Sequence, residues 1–246
     1  MSARWVDMQA RKDRVLSIVI EQYIKTVSPV SSNYITKQFF EGLSSATIRN
    51  ILAELEQEGY LTHPHTSAGR VPTQKGYRYY VDNLMNEIQL LEEEKERIKA
   101  EYERESMELE ALLEKTSRVL AETTHYTSIV SVEGWQNKLF CQGTSFVVNY
   151  PDYNDIKKIA QILNALDEKQ RLLEVINQDL VNKLEIFIGS EIACSDINSS
   201  CSLVVSRYEP KRGPKGRIAV LGPTRMDYER VVSTLNYLSE LLERIL

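Results

Sequence analysis

The sequence predicts an α+β fold, and three observations carry that expectation. Residues 1–85 hold short helical periodicities and one turn-rich loop. Residues Glu87–Glu122 contain neither Gly nor Pro and are dense in Glu, Lys and Arg. From Tyr126 onward, β-rich runs alternate with helical stretches. The expected organisation is a head over 1–85, a connecting helix over 86–125 and a body over 126–246.

Composition bounds the function classes. The 246 residues suffice for one large domain or two small ones. With 42% hydrophobic and 26% charged residues, 10 Gly and 7 Pro, collagen-like, low-complexity and wholly disordered chains are excluded. No apolar run approaches the ~18 residues that span a bilayer, so no membrane partner is expected. The start, MSARWVDMQARK, lacks the apolar core of a signal peptide, which points to the cytoplasm. Cys141, Cys194 and Cys201 are too few and too far apart for a disulfide framework or a CxxC metal site, and read as reduced packing residues. The net charge of −5 is unevenly spread. Residues 1–85 carry 10 Lys/Arg against 8 Asp/Glu, and residues 86–246 carry 20 against 27. A mildly basic head on an acidic body suits a chain whose head alone meets phosphate.

Within the head, the first helix is expected over Met8–Val27, with Val15, Ile18, Val19 and Tyr23 inward and Ser28-Pro29 as its stop. A second runs from Ser32 to Phe40 with Ile35 and Phe39 inward, and Gly42 permits the turn that follows. The third, Ser45–Glu58, is the informative one. On a helical wheel Ile48, Ile51, Leu52 and Leu55 cluster on one side, and Ala46, Arg49, Asn50, Ala53 and Gln57 on the other. The alanines allow close approach, Arg49 can fork onto guanine, and Asn50 can pair with adenine. Ser44, Ser45 and Thr47 sit at the positive helix N-terminus, where phosphate is welcome. The acids Glu54, Glu56 and Glu58 lie at the far end.

After Gly59, a strand begins at Tyr60-Leu61-Thr62, followed by HPHTSAGRVPT, a loop with one cation and no acid. Such a loop between short strands is a β-wing, with His65, Thr66 and Ser67 along a sugar–phosphate backbone and Arg70 gripping phosphate or entering a groove. Thr73 caps a further helix that presents Lys75 and Arg78 near the wing. Three helices and a wing make a winged helix-turn-helix whose partner is double-stranded DNA. His63 and His65, two apart with no cysteine or carboxylate cluster beside them, make a poor metal site, and no metal is expected.

The stretch GLSSATIRNILAELEQEGYLTHPHTSAGRVPTQKGYRYYVDNLM (Gly42–Met85) resembles the head of the bacterial heat-inducible transcription repressor HrcA family. Two further stretches are similar to that family in the same order: GTSFVVNYPDYND (Gly143–Asp155) and GRIAVLGPTRMDYERVVSTLNYLSELL (Gly216–Leu242). The resemblance implies a repressor of heat-shock chaperone genes that binds an inverted-repeat operator as a homodimer. It further implies a GAF-like domain after the head and the chaperonin GroEL as a partner. By the same resemblance Ser45, Thr47, Arg49, Asn50 and Arg70 fall in the reading helix and wing. In one respect the chain departs from the family. Only Glu133–Lys138 stands between Val132 and Leu139, where typical members carry a long central region.

The body is thus expected to be a reduced GAF-like α/β domain with an antiparallel sheet. Its strands are expected over Thr127–Val132, Leu139–Val148, Glu185–Ile188, Ser202–Tyr208 and Arg217–Leu221, and its helices over Asp155–Leu166, Glu168–Asn177 and Met226–Leu246. Thr224 and Asp227 read as a capping box. The residues 87–122 read as one helix of about ten turns, with Ile88, Leu91, Ile98, Tyr102, Leu109, Leu112 and Val119 along a narrow seam. A similar seam, Tyr228, Val231, Leu235, Leu238, Leu242 and Ile245, lines the last helix. Either these seams pair two copies or each packs on its own domain. No cofactor is expected, nor catalysis: the one His outside the head, His125, has no nucleophile beside it in sequence. The alternative to a chaperone-linked repressor is a winged-helix regulator gated by a small ligand in the GAF-like body.

Overall fold

The computed structural model describes residues 3–39, 44–64, 69–86, 88–103, 108–135, 138–150, 156–177, 180–194 and 200–246. The chain divides into two compact units, Met1–Asn86 and Glu87–Leu246.

The first unit opens with α1 (Ala3–Thr26), whose Val15, Leu16, Val19 and Ile20 are fully buried. It stops at Val27, held at φ 54°, a costly conformation for a β-branched residue, just before Ser28-Pro29. Helix α2 (Ser32–Phe39) buries Ile35. Phe39, expected inward, is 41% exposed at the last position of the helix, its ring edge set against Tyr34 with centroids 6.1 Å apart. Helix α3 (Ser45–Gln57) buries Ile48, Ile51, Leu52 and Leu55, the four residues that the wheel groups together. Gly59, at φ 79°, turns the chain into a hairpin of β1 (Leu61–Thr62) and β2 (Val71–Pro72), paired Leu61 to Pro72 and Thr62 to Val71. Thr73 then caps α4 (Gln74–Tyr79), accepting from the Gly76 amide at 3.1 Å. A single π turn, Tyr80–Leu84, completes the unit.

In the second unit the expected ten-turn helix is two helices, α5 (Glu92–Glu103) and α6 (Leu109–Thr124). The backbone is extended at Glu108, ψ 149°. The reason is burial. A single rod would leave its narrow seam in water, whereas the break lets α5 return along α6. Ile98 becomes 2% exposed and the Tyr102 hydroxyl donates to Thr116 Oγ1 at 3.0 Å.

The sheet comprises β3 (Thr127–Val132), β4 (Leu139–Gln142), β5 (Leu184–Ile188), β6 (Cys201–Tyr208) and β7 (Gly216–Pro223), in the order β4-β3-β7-β6-β5, every pairing antiparallel. Alternate side chains of β3, β6 and β7 point to opposite faces. Ile129, Leu203, Val205, Ala219 and Leu221 meet Ile162, Ala165, Leu166, Val175 and Ile176 of α7 (Ile156–Asp167) and α8 (Lys169–Ile176). On the other face lie α6 and α9 (Tyr228–Ile245). Ser128 is hydrogen-bonded to Ser117 of α6, and Ser202 to Tyr228 of α9, each at 2.8 Å. An antiparallel sheet covered on both sides explains why β3, β6 and β7 are buried at nearly every position rather than at alternate ones.

Two further expectations are corrected. The strand expected over Leu139–Val148 ends at Gln142, because Gly143 at φ 79° turns the chain into a 3-10 helix, Thr144–Asn149. The cap of α9 is Asp227 rather than Thr224: the Asp227 carboxylate accepts from the Arg230 amide at 3.1 Å, while β7 runs on through Pro223. The seam of α9 packs within this unit. Tyr228, Val231, Leu235, Leu238 and Leu242 are buried, and Ile245 at the end is exposed. Among the described residues, Cys194 and Cys201 are buried, Cys141 is half-buried, and none of the three is in a disulfide.

Candidate nucleic-acid interface

Helix α3 is polarised along its length. At the N-terminus Ser44 accepts from the Thr47 amide at 3.1 Å, and the Ser44 and Thr47 hydroxyls lie 3.0 Å apart. These groups satisfy one end of the helix and leave an exposed hydroxyl edge beside positive peptide dipoles. Ser45 and Thr47 are half-buried. Ala46, Arg49 and Asn50 are exposed, one turn on from that edge. Neither Arg49 nor Asn50 forms a hydrogen bond or ion pair among the described residues.

The C-terminal half is the reverse: each of its three acids is engaged. Lys12 of α1 lies 2.8 Å from Glu54 Oε2 and 2.7 Å from Glu58 Oε1. Hydrogen bonds to Glu54 and then Glu58 hold its ammonium above the usual lysine range. Glu56 takes His63 on Oε1 and Arg70, at 3.0 Å, on Oε2. The carboxylates that would repel a phosphate chain are thus neutralised by this unit's own cations.

The remaining expected site residues are placed as follows. His65, Thr66 and Ser67 lie outside the described residues. Arg70 is held by Glu56, and its backbone forms an antiparallel bridge with Val30. Lys75 donates to the Glu58 carbonyl at 2.7 Å, finishing α3, and sits 4.7 Å above the Tyr60 ring. Arg78 is 3.2 Å from Asp82 one turn further on. So the structure brings Ser44, Ser45, Ala46, Thr47, Arg49 and Asn50 together on one edge and ties Arg70, Lys75 and Arg78 into the unit. Sequence reasoning missed Lys12 and Glu56, whose partners lie on other elements.

In the second unit a cleft of about 530 Å³, lined by Ile88, Lys95, Lys99, Tyr237, Glu240 and Arg244 among others, opens beside α9. No described helix is long and apolar enough to cross a membrane. Among the described residues, no group of three or more His, Cys, Asp or Glu is placed to hold a metal ion.

The family model described as HrcA protein C terminal domain matches residues 131–232. Along nearly the whole chain there is similarity to curated relatives named heat-inducible transcription repressor HrcA. That of Symbiobacterium thermophilum is 29% identical, with 96% of this chain and 98% of the relative covered. That of Clostridioides difficile is 26% identical, with 97% and 100% covered. The chain is thus similar to HrcA repressors along nearly its whole length. These alignments run to 334 and 339 positions against 246 residues here, so both relatives carry sequence that this chain lacks. A crystal structure of a hypothetical protein at 2.2 Å resolution shares the fold of this chain. Its TM-score is 0.77 at 19% identity, with 95% of this chain and 97% of the other covered.

Proposed function

We propose that this protein is a DNA-binding transcription repressor of heat-shock chaperone genes, acting from the cytoplasm as a homodimer on an inverted-repeat operator. Its first unit serves as a winged helix-turn-helix and its second as a reduced GAF-like body that carries the reading heads. The observation that carries this reading is the division of α3: an exposed, uncommitted Arg49 and Asn50 on one half, and three neutralised acids on the other. Such a helix can enter the major groove by its N-terminal half, with Ala46 allowing close approach. Ser44, Ser45 and Thr47 would contact phosphate and set the register, with His65, Thr66 and Ser67 of the wing along the neighbouring backbone. Arg70, Lys75 and Arg78 would reach phosphate only by exchanging their present partners. The names of the relatives support the repressor role, and the family resemblance supports GroEL as a partner of the body.

The test is binding to a duplex carrying the inverted repeat found ahead of the organism's own chaperone operon, beside a scrambled duplex of equal length. Arg49→Ala should cost about 1–3 kcal/mol on the former and relax preference at one base pair. Equal loss on both duplexes would remove Arg49 from base reading.

A further inference from the structure

The hairpin that follows α3 is short, pinned at its base by Thr73, whose hydroxyl donates to the Gly59 carbonyl at 2.7 Å and whose amide donates to the Tyr60 carbonyl at 3.0 Å. Its ladder is two residue pairs long, and one of the four residues, Pro72, has no amide to donate. Beyond that base, the described residues next to the two strands, His63 and Gly69-Arg70, have anchors of their own. Three are built into the unit. The Arg70 amide and carbonyl exchange 2.9 Å hydrogen bonds with Val30 on the segment between α1 and α2. Gly69 lies so close to Pro29 that a Cβ there would stand 2.7 Å from the Pro29 carbonyl carbon, and only glycine fits. The third anchor is Glu56. Its two carboxylate oxygens take one partner from each end of the loop: His63, just past β1, on Oε1, and Arg70, just before β2, at 3.0 Å on Oε2.

We propose that Glu56 is the positioning residue of the hairpin: through His63 and Arg70 it fixes the inner ends of β1 and β2 relative to the reading helix, and it acts on DNA binding only through that geometry. The inference rests on the winged-helix reading above and deepens it. Glu56 lies near the last turn of α3, toward the opposite end from Arg49 and Asn50, and its carboxylate faces the hairpin. The Arg70 contact on Oε2 is the sheltered one, where a charge-assisted hydrogen bond is strong and directional, while His63 on Oε1 stands exposed. Arg70 thereby serves as the cation of the clamp rather than as a phosphate grip.

The sign of one substitution separates this role from electrostatics. Glu56→Gln removes a negative charge from the DNA-facing unit, so repulsion alone would predict tighter binding to any duplex. The clamp predicts the reverse: loss of roughly tenfold in affinity for the inverted-repeat duplex. Arg70→Ala should lose a similar factor, and the double variant no more than either single, because both break one device. Tighter binding by Glu56→Gln, or multiplying losses in the double variant, would overturn the proposal. Amide hydrogen exchange at Gly69 and Arg70, measured residue by residue on the full chain without DNA, supplies a second readout. It should quicken in Glu56→Gln while α1 and α3 keep their protection, and unchanged exchange at both would also overturn the clamp. Should the wild-type chain bind neither duplex, the functional reading fails by itself, and the exchange measurement still decides the clamp.

Discussion

In the first unit α3 buries four residues on one side and leaves Ala46, Arg49 and Asn50 in water on the other, whereas in the second unit the strands β3, β6 and β7 are buried on both faces. The difference separates presenting from supporting. A helix with one bare face and uncommitted donors is available to a partner, and its exposed residues can change without disturbing what lies beneath. A sheet sealed by α6 and α9 on one side and α7 and α8 on the other has its chemistry turned inward, and serves as scaffold. The buried hydroxyls of the second unit fit that role: Ser117, Ser128, Ser202 and Tyr228 bond to one another across the layers.

The contrast breaks most visibly under truncation. Leu238 is fully buried on α9, and Leu238→Ala should cost about 2–5 kcal/mol in denaturant unfolding, as lost burial and a cavity add together. Arg49→Ala in the same assay should stay within about 0.5 kcal/mol of wild type, since its side chain is exposed and has no hydrogen bond or ion pair among the described residues. A large stability loss from Arg49→Ala would mean that the face is not bare, and the distinction between the two units would fall.

Charge offers a finer probe of the first unit. Lys12→Met would leave Glu54 and Glu58 without their shared cation, at a cost of about 1 kcal/mol, the two carboxylates being exposed enough for water to compensate in part. The pH dependence has a definite sign. The folded-state pKa of Lys12 is raised above 10.5, so its contribution is fully present below that value and is lost as pH rises through the raised one. The stability gap between wild type and Lys12→Met should therefore hold constant across neutral pH and narrow only in strong alkali. A gap that closes near neutrality would assign the effect to another group.

Much of this architecture was legible because the deciding signals are local. The apolar spacing of α3 and the Ser44 hydroxyl before it mark one helix and its start, and the runs Leu203-Val204-Val205 and Ile218-Ala219-Val220 mark inner strands. The exposed half of the candidate site follows from the same wheel. What escaped depends on partners far along the chain. Lys12 meets Glu54 and Glu58 because α1 packs on α3, and Glu56 meets Arg70 because the hairpin folds back. Neither pairing has a sequence signature. The break between α5 and α6 is a third case. No described Gly or Pro marks it, Glu108 carries no stop signal, and the seam keeps its spacing across the interruption, so periodicity extends the helix where burial ends it.

That break has a test of its own. Tyr102 is on α5 and Thr116 on α6, fourteen positions apart. In an unbroken helix they would stand about 21 Å from each other and could not interact. Here the phenol donates to Thr116 Oγ1 at 3.0 Å, burial pushes its pKa up, and the threonine hydroxyl in turn donates to the Leu112 carbonyl. Tyr102→Phe should cost about 0.5–1.5 kcal/mol, and Thr116→Val a similar amount. Their double variant should cost less than the two combined, because whichever change comes first removes the bond that the second would break. Strict additivity in that cycle would restore a straight rod and expose Ile98 and Tyr102 to water, making the seam of α5 a free surface instead of one side of a hairpin.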